Sequence, residues 1–235
     1  MSSNPTKGNG KQWMIFIALL PFLFFGIFHL YTKQAREDLS TMKYPRKMYP
    51  LGLDTILEGN FKRIDTVYHK VPDFLAVNQF NQEISQSDFS DKIIIVDFFF
   101  TSCPSICPKM STQLERVQEN FIREDKLVIL SFSIDPLRDT PEKLKEYANS
   151  YNAVPGKWHF LNTDKEQIYS LAQSGFKMTA MDSGGDEAHD GFVHTERFVL
   201  IDPNWTIRGY YDGTSEKDVN VMMGDILLLT EEFRR

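Results

Sequence analysis

The sequence predicts an α/β fold, a three-layer sandwich around a mixed sheet, preceded by a single N-terminal transmembrane helix. Three observations lead there. Residues 13–31, WMIFIALLPFLFFGIFHLY, hold no Asp, Glu, Lys or Arg. Beyond them, short β-branched and aromatic runs alternate with segments of helical spacing. Two strand-like runs then follow one another before a last helical segment, which brings antiparallel pairing into a sheet otherwise built by crossovers.

Residues 1–12 are small and polar, with Lys7 and Lys11. Residues 13–31 match the roughly 20 apolar residues that cross a bilayer as a helix. Trp13 and Tyr31 stand at the ends, where amphipathic rings favour the interface. A cleaved signal peptide is the competing reading, but the run is long for one and no small-x-small site follows it. The expectation is an uncleaved anchor that engages the lipid bilayer. Lys33, Arg36, Lys43, Arg46 and Lys47 follow the run, so a count of basic residues leaves its orientation open. Residues 32–70, punctuated by Pro45, Pro50, Gly52 and Gly59, read as a tether of little regular pattern. One domain is expected over 71–235.

Within that domain, residues 74–77 and 83–84 suggest a hairpin. Residues 93–100 are a continuous apolar strand, the pattern of burial on both faces. Leu114, Val117 and Phe121 carry helical spacing. Residues 127–134 form the next strand, and Thr140-Pro141-Glu142 opens a helix with a cap, a first-position proline and an acid. A strand at 158–161, a helix capped by Asp164, strands at 197–202 and 206–211, and a helix capped by Ser215 complete the order. The chain carries 26 Lys and Arg against 32 Asp and Glu, a net charge of −6, and no basic patch stands out. A nucleic-acid partner is therefore not expected.

Cys103 and Cys107 are the only cysteines in 235 residues, at the tip of the first buried strand and leading into a helix. That placement is the arrangement of the thioredoxin fold. Three uses compete: thiol–disulfide exchange, a structural disulfide and metal binding. A disulfide closing so small a loop constrains the unfolded chain little. Three residues between the cysteines, against the two usual in exchange enzymes, leave room for a reversible disulfide or for two thiolates to converge on one ion. Pro108 is expected as the first regular helical residue, with Cys107 at the N-cap. A metal site needs a third donor. Of the histidines, His29 lies near the end of the apolar run, His69 precedes the domain, and His159 reads as packed core. His194 stands just before a strand, in a loop that faces the cysteine loop in such a sheet. The loop 177–190 is acidic, and its Met178, Met181 and His189 are candidate auxiliary donors. Asp135, at the end of a neighbouring strand, is either close to the site or a turn residue before Pro136.

CPxxCP after an FFFTS strand end, then SIDPxxDTPExL, then a histidine in HTxxFVLIDP, in order over about 71–235, resembles the Sco/SenC family of membrane-anchored copper proteins. The resemblance implies a thioredoxin-like domain outside the cytosol, copper held by Cys103, Cys107 and His194, and delivery to respiratory cytochrome c oxidase, at the binuclear copper site of subunit II, or to another cuproprotein. The chemistry agrees: Cu(I) is soft and takes thiolate and imidazole, and Cu(II) is accommodated with a further ligand. Zinc in a structural site prefers four donors, and no third cysteine exists. Val193 departs from the acidic residue that many members carry before the histidine. The alternative is a thiol–disulfide reductase that keeps the cysteines of the oxidase copper site reduced. The short N-terminus lacks an Arg-rich leader, which favours a bacterial inner membrane, with the domain on the periplasmic side.

Overall fold

The computed structural model describes residues 20, 24–29, 45, 47–58, 61–178 and 196–234, with backbone alone at 54–58 and 61–63. Two compact units divide the chain, 1–43 and 44–235. In the first, residues 24–29 are helical. No helix among the described residues is long and apolar enough to cross a membrane; most of 13–31 lies outside them. Residues 179–195 also lie outside, and with them Met181, His189, Val193 and His194.

The second unit is built on a seven-stranded mixed sheet. Its strands are β3 (Leu75–Asn78), β4 (Glu83–Ser85), β5 (Ile93–Phe99), β6 (Leu127–Ser133), β7 (Trp158–Asn162), β8 (Arg197–Ile201) and β9 (Ile207–Asp212), in the order β4-β3-β7-β6-β5-β8-β9. Neighbours β5, β6 and β7 run parallel, and the pairs β3–β4, β3–β7, β5–β8 and β8–β9 are antiparallel. The expected α/β sandwich with a mixed sheet is therefore present. Its helices are α1 (Ile106–Asn120), α2 (Pro141–Ser150), α3 (Lys165–Ser170) and α4 (Glu216–Glu232). Asp164 and Ser215 cap α3 and α4 as expected, accepting from the amides of Gln167 at 2.9 Å and Asp218 at 3.3 Å.

Strand β5 explains the layering. Its seven residues are all buried. Ile93, Ile95 and Phe99 join Leu114 and Val117 of α1, Leu144 of α2 and Met222 and Ile226 of α4 in one core. Ile94, Val96 and Phe98 join Phe74, Ile168 and Leu171 in a second core on the other face. Side chains alternate along a strand, so a strand between two helical layers needs an unbroken apolar run.

The tether departs from expectation. Strands β1 (Pro50–Glu58) and β2 (Phe61–Tyr68) pair antiparallel into a hairpin, with Glu58 opposite Phe61. A signal is present in the sequence: a Gly-Asn pair, residues 59–60, is a two-residue turn signal of hairpins, whereas the glycines and prolines together invite a reading as linker. The hairpin's base is tied to β9. Met48 N–H donates to the Ile207 carbonyl at 2.9 Å, Val71 N–H to the Trp205 carbonyl at 3.0 Å, and Lys70 bridges Thr206. The body is thus fastened ahead of the start expected at residue 71.

Candidate functional site

The strand β5 ends at Phe99, and Phe100-Thr101-Ser102 turn the chain into the cysteine loop. Both cysteines are free thiols, and both are buried, Cys103 at 8% exposure and Cys107 at 3%. They close one end of the core layer formed with Phe99, Phe100 and Met110 of the same segment. Helix α1 begins at Ile106 with Ser105 as N-cap, so Cys107 sits in the first turn and Pro108 at its third position. This corrects the expected N-cap at Cys107. Proline is tolerated there because the first-turn amides have no intrahelical acceptor to lose.

Those same amides make the site polar where the core is not. Ser105 offers no side-chain cap. Instead the Cys107 N–H donates to Cys103 Sγ at 3.4 Å. Burial works against a thiolate at Cys103, but the amides of Cys107, Ser105 and Ile106 and the Cys107 thiol outweigh it, and its pKa is lowered. A sulfur at a helix N-terminus gains from these oriented N–H groups. Cys107 has the opposite setting. Burial, its role as hydrogen-bond donor to Cys103 and the negative charges of Cys103 and Asp97 push it well above the ordinary thiol range. One thiol is poised to ionise and its neighbour is held protonated. At pH 7 the Cys107→Ser variant is therefore expected to react with iodoacetamide at Cys103 at least about tenfold faster than the Cys103→Ser variant reacts at Cys107. Equal rates, followed by mass spectrometry, would refute the asymmetry.

Two buried carboxylates lie near the site, and neither was expected. Asp139, fully buried, accepts hydrogen bonds from Thr101 N–H at 3.1 Å, Thr101 Oγ1 at 2.5 Å and Ser133 Oγ at 2.5 Å. It ties the turn before Cys103 to the end of β6. Asp97, in β5, shares the face of Ile95 and Phe99, the α1 side. Its Oδ1 accepts from Ser131 Oγ, which in turn accepts from Trp158 Nε1 at 2.8 Å. Burial pushes its carboxyl up to about 7, against the hydrogen bond from Ser131. A lone Asp inside an apolar strand run is the available signal for Asp97. Asp139 is hidden in Asp139-Thr140-Pro141-Glu142, which reads as a helix start.

Asp135 belongs to the turn. Its carboxylate pairs with Arg138 at 3.5 Å, and its carbonyl accepts from the Arg138 and Asp139 amides at 3.1 and 3.0 Å. The carboxylate that reaches the cysteine loop is that of Asp139. His159 packs as expected, edge-on to Phe89 with centroids 5.2 Å apart. Its strand alternates Trp158 and Phe160 into the cysteine-side core and Leu161 into the other, so His159 faces away from the cysteines. His69 donates from Nε2 to the Gly175 carbonyl at 2.8 Å, where a π-helical turn (Leu171–Gly175) ends α3. Met178 is buried in the second core. Among the described residues no group of three His, Cys, Asp or Glu forms a metal-holding cluster. The cysteine pair supplies two soft donors, and the third one expected, His194, lies outside the described residues.

A mixed sheet with a free cysteine pair at a strand-to-helix junction defines a thioredoxin-like thiol protein. The family model SCO1/SenC matches residues 63–227, and the chain belongs to that family. It is 28% identical over 164 residues to the SCO1 protein homolog of Bacillus subtilis, an alignment covering 69% of this chain and 83% of that protein. It is also 28% identical over 144 residues, 60% of this chain and 68% of the relative, to a protein of Stutzerimonas stutzeri named for copper binding. Among solved structures, BsSco superposes with a TM-score of 0.59 at 27% identity, covering 69% of this chain and 94% of that one. That structure is described as a member of the Sco family of cytochrome c oxidase assembly proteins in which a disulfide switch was identified.

Proposed function

We propose that this chain is a copper-delivery protein serving the assembly of cytochrome c oxidase. The observation that carries this reading is the free Cys103–Cys107 pair, with the Cys103 sulfur cradled by first-turn amides, in a chain of this family. The copper-binding name of one relative and the oxidase-assembly description of another support it. Copper is cargo here. Cys103 and Cys107 supply two thiolates and His194 an imidazole, a set that suits Cu(I) and leaves room for transfer to a receiving site, which we assign to subunit II of the oxidase. Joining the two sulfurs as a disulfide removes both donors, so the redox state of the pair gates loading. Residues 13–31 anchor the chain in a bacterial inner membrane, with the domain on the periplasmic side.

The test is loading of the reduced full-length chain with Cu(I) under anaerobic conditions against a competing chelator. One copper per chain is expected. The Cys103→Ser and Cys107→Ser variants should lose it, and His194→Ala should weaken it by at least about tenfold, or 1.4 kcal/mol. An undiminished affinity in His194→Ala removes that ligand from the assignment.

A second reading rests on the opposed thiol settings. As a reductase, the Cys103 thiolate attacks a partner disulfide, its S–S bond breaks, and one partner thiolate leaves. Cys107 then gives up its proton and attacks the mixed disulfide, releasing the second partner thiolate and forming the Cys103–Cys107 disulfide. Reduction of a disulfide peptide by the His194→Ala variant at the parent's rate, alongside weak copper binding in the parent, would favour this reading.

A further inference from the structure

The β1–β2 hairpin carries an apolar surface that the body does not cover. Leu51, Leu53 and Ile64 are 69%, 75% and 69% exposed. Leu53 pairs with Thr66, and Ile64 lies two residues along the same strand, so Leu53 and Ile64 share one face as diagonal neighbours. A two-stranded hairpin is marginal in water without a partner for such a face. Its base is held to β9 by the Met48, Lys70 and Val71 backbone groups, so the arm stands on a fixed root.

Charge and chain length point to the occupant. Residues 32–70 carry eight Lys and Arg against five Asp and Glu, whereas residues 71–235 carry 16 against 27. The excess lies in residues 32–49, five against two, between the apolar run and β1; the hairpin itself, 50–68, carries two against three. Only 18 residues, 32–49, separate the apolar run 13–31 from β1, a reach of at most about 60 Å. Anionic headgroups attract basic segments next to an anchor, by about 1 kcal/mol per Lys or Arg near the surface, and exposed aliphatic side chains enter the boundary between headgroup and acyl layers.

We propose that the β1–β2 hairpin lies against an anionic bilayer surface through Leu53 and Ile64, drawn there by the basic segment 32–49, while the acidic body is repelled from it. The inference rests on residues 13–31 acting as the anchor, and goes beyond copper handling. Seated in this way, the hairpin fixes the attitude of the body toward the membrane instead of leaving it on a free tether.

The test uses the full-length chain in three settings: detergent, phosphatidylcholine vesicles, and vesicles with about a quarter phosphatidylglycerol. Hydrogen exchange of residues 50–68 is expected to slow about tenfold in the anionic vesicles relative to the other two, and to speed up again when salt is raised. Leu53→Glu combined with Ile64→Glu should abolish that slowing while exchange in β5 and β6 is unchanged. A Leu53→Trp chain gives a second reading without adding charge. Its fluorescence should be quenched by lipids brominated in the acyl chain, beyond the quenching of the parent. Equal exchange in all three settings overturns the inference. So does slowing in detergent that follows protein concentration, which means a second copy covers the face, or slowing that needs an added cuproprotein. Alkaline carbonate extraction separates the two readings. A chain that is stripped from vesicles loses the anchor and the inference with it, and a chain that is retained without hairpin protection loses the inference alone.

Discussion

Replacing Arg208 by alanine is expected to cost the domain about 3–5 kcal/mol, because it strands a buried carboxylate. The Arg208 side chain is 2% exposed and joins three parts of the body. Its NH1 donates to Asp202 Oδ2 at 3.0 Å, and its NH2 to Glu232 Oε2 at 2.6 Å. Its Nε donates to the Pro45 carbonyl at 2.9 Å. Asp202, fully buried, spends its other oxygen on the amides of Asn204 and Thr206, at 2.9 and 3.0 Å, which shape the β8–β9 turn. One guanidinium therefore fastens that turn, the end of α4 and the segment leading into the hairpin. Urea unfolding should show a lower midpoint with an unchanged slope. Arg208→Lys should recover part of the loss, since an ammonium keeps the charge without the fork that reaches three acceptors at once. A loss under about 1 kcal/mol in Arg208→Ala would mean that water replaces the guanidinium and that the network is worth no more than a surface pair.

The second large effect concerns Asp97 and pH. An aspartate ordinarily titrates at 3.8, and burial carries the folded carboxyl to about 7. Between those values the folded chain keeps a proton that the unfolded chain has released. Stability from this group therefore falls as pH rises from about 4 to about 7, and levels off above that. At about 1.4 kcal/mol per unit, the full span is about 4 kcal/mol. The Asp97→Asn variant keeps an acceptor for Ser131 and loses the titration. Measured against the parent by urea unfolding at a series of pH values, it should gain stability steadily from about pH 4 to about pH 7 and no further above that. A parent and variant that change in parallel over that range would show that Asp97 stays ionised and solvated. Asp97 also bears on the site: its charge adds to the burial that holds the Cys107 thiol up, so the variant should shift Cys107 alkylation toward lower pH.

Much of the fold is legible because burial imposes periodicity. The unbroken apolar run of β5, the start of α2 at Pro141 and the Asp164 and Ser215 caps each follow from local physics, and each is present, whereas Thr140 holds the N-cap position of α2 without a side-chain cap hydrogen bond. The β1–β2 hairpin is hidden because its Gly and Pro residues read as punctuation before they read as turn chemistry. The helix start at Ile106 departs from expectation for a related reason: proline at the first position is the commoner pattern, but the orphan amides allow it one turn deep.

The sequence by itself determined the cysteine pair, its place between a buried strand and a helix, and the family resemblance, since these depend on residue type and spacing along the chain. Only the tertiary structure decided what surrounds the pair. Asp139 reaches Thr101 across 38 positions, and Asp97 comes to rest beneath α1 with Ser131 and Trp158. It also decided that Asp135 serves its own turn. Such roles are set by which strands become neighbours. A carboxylate's charge state and partners follow from the chain segments folded around it, not from its neighbours in sequence.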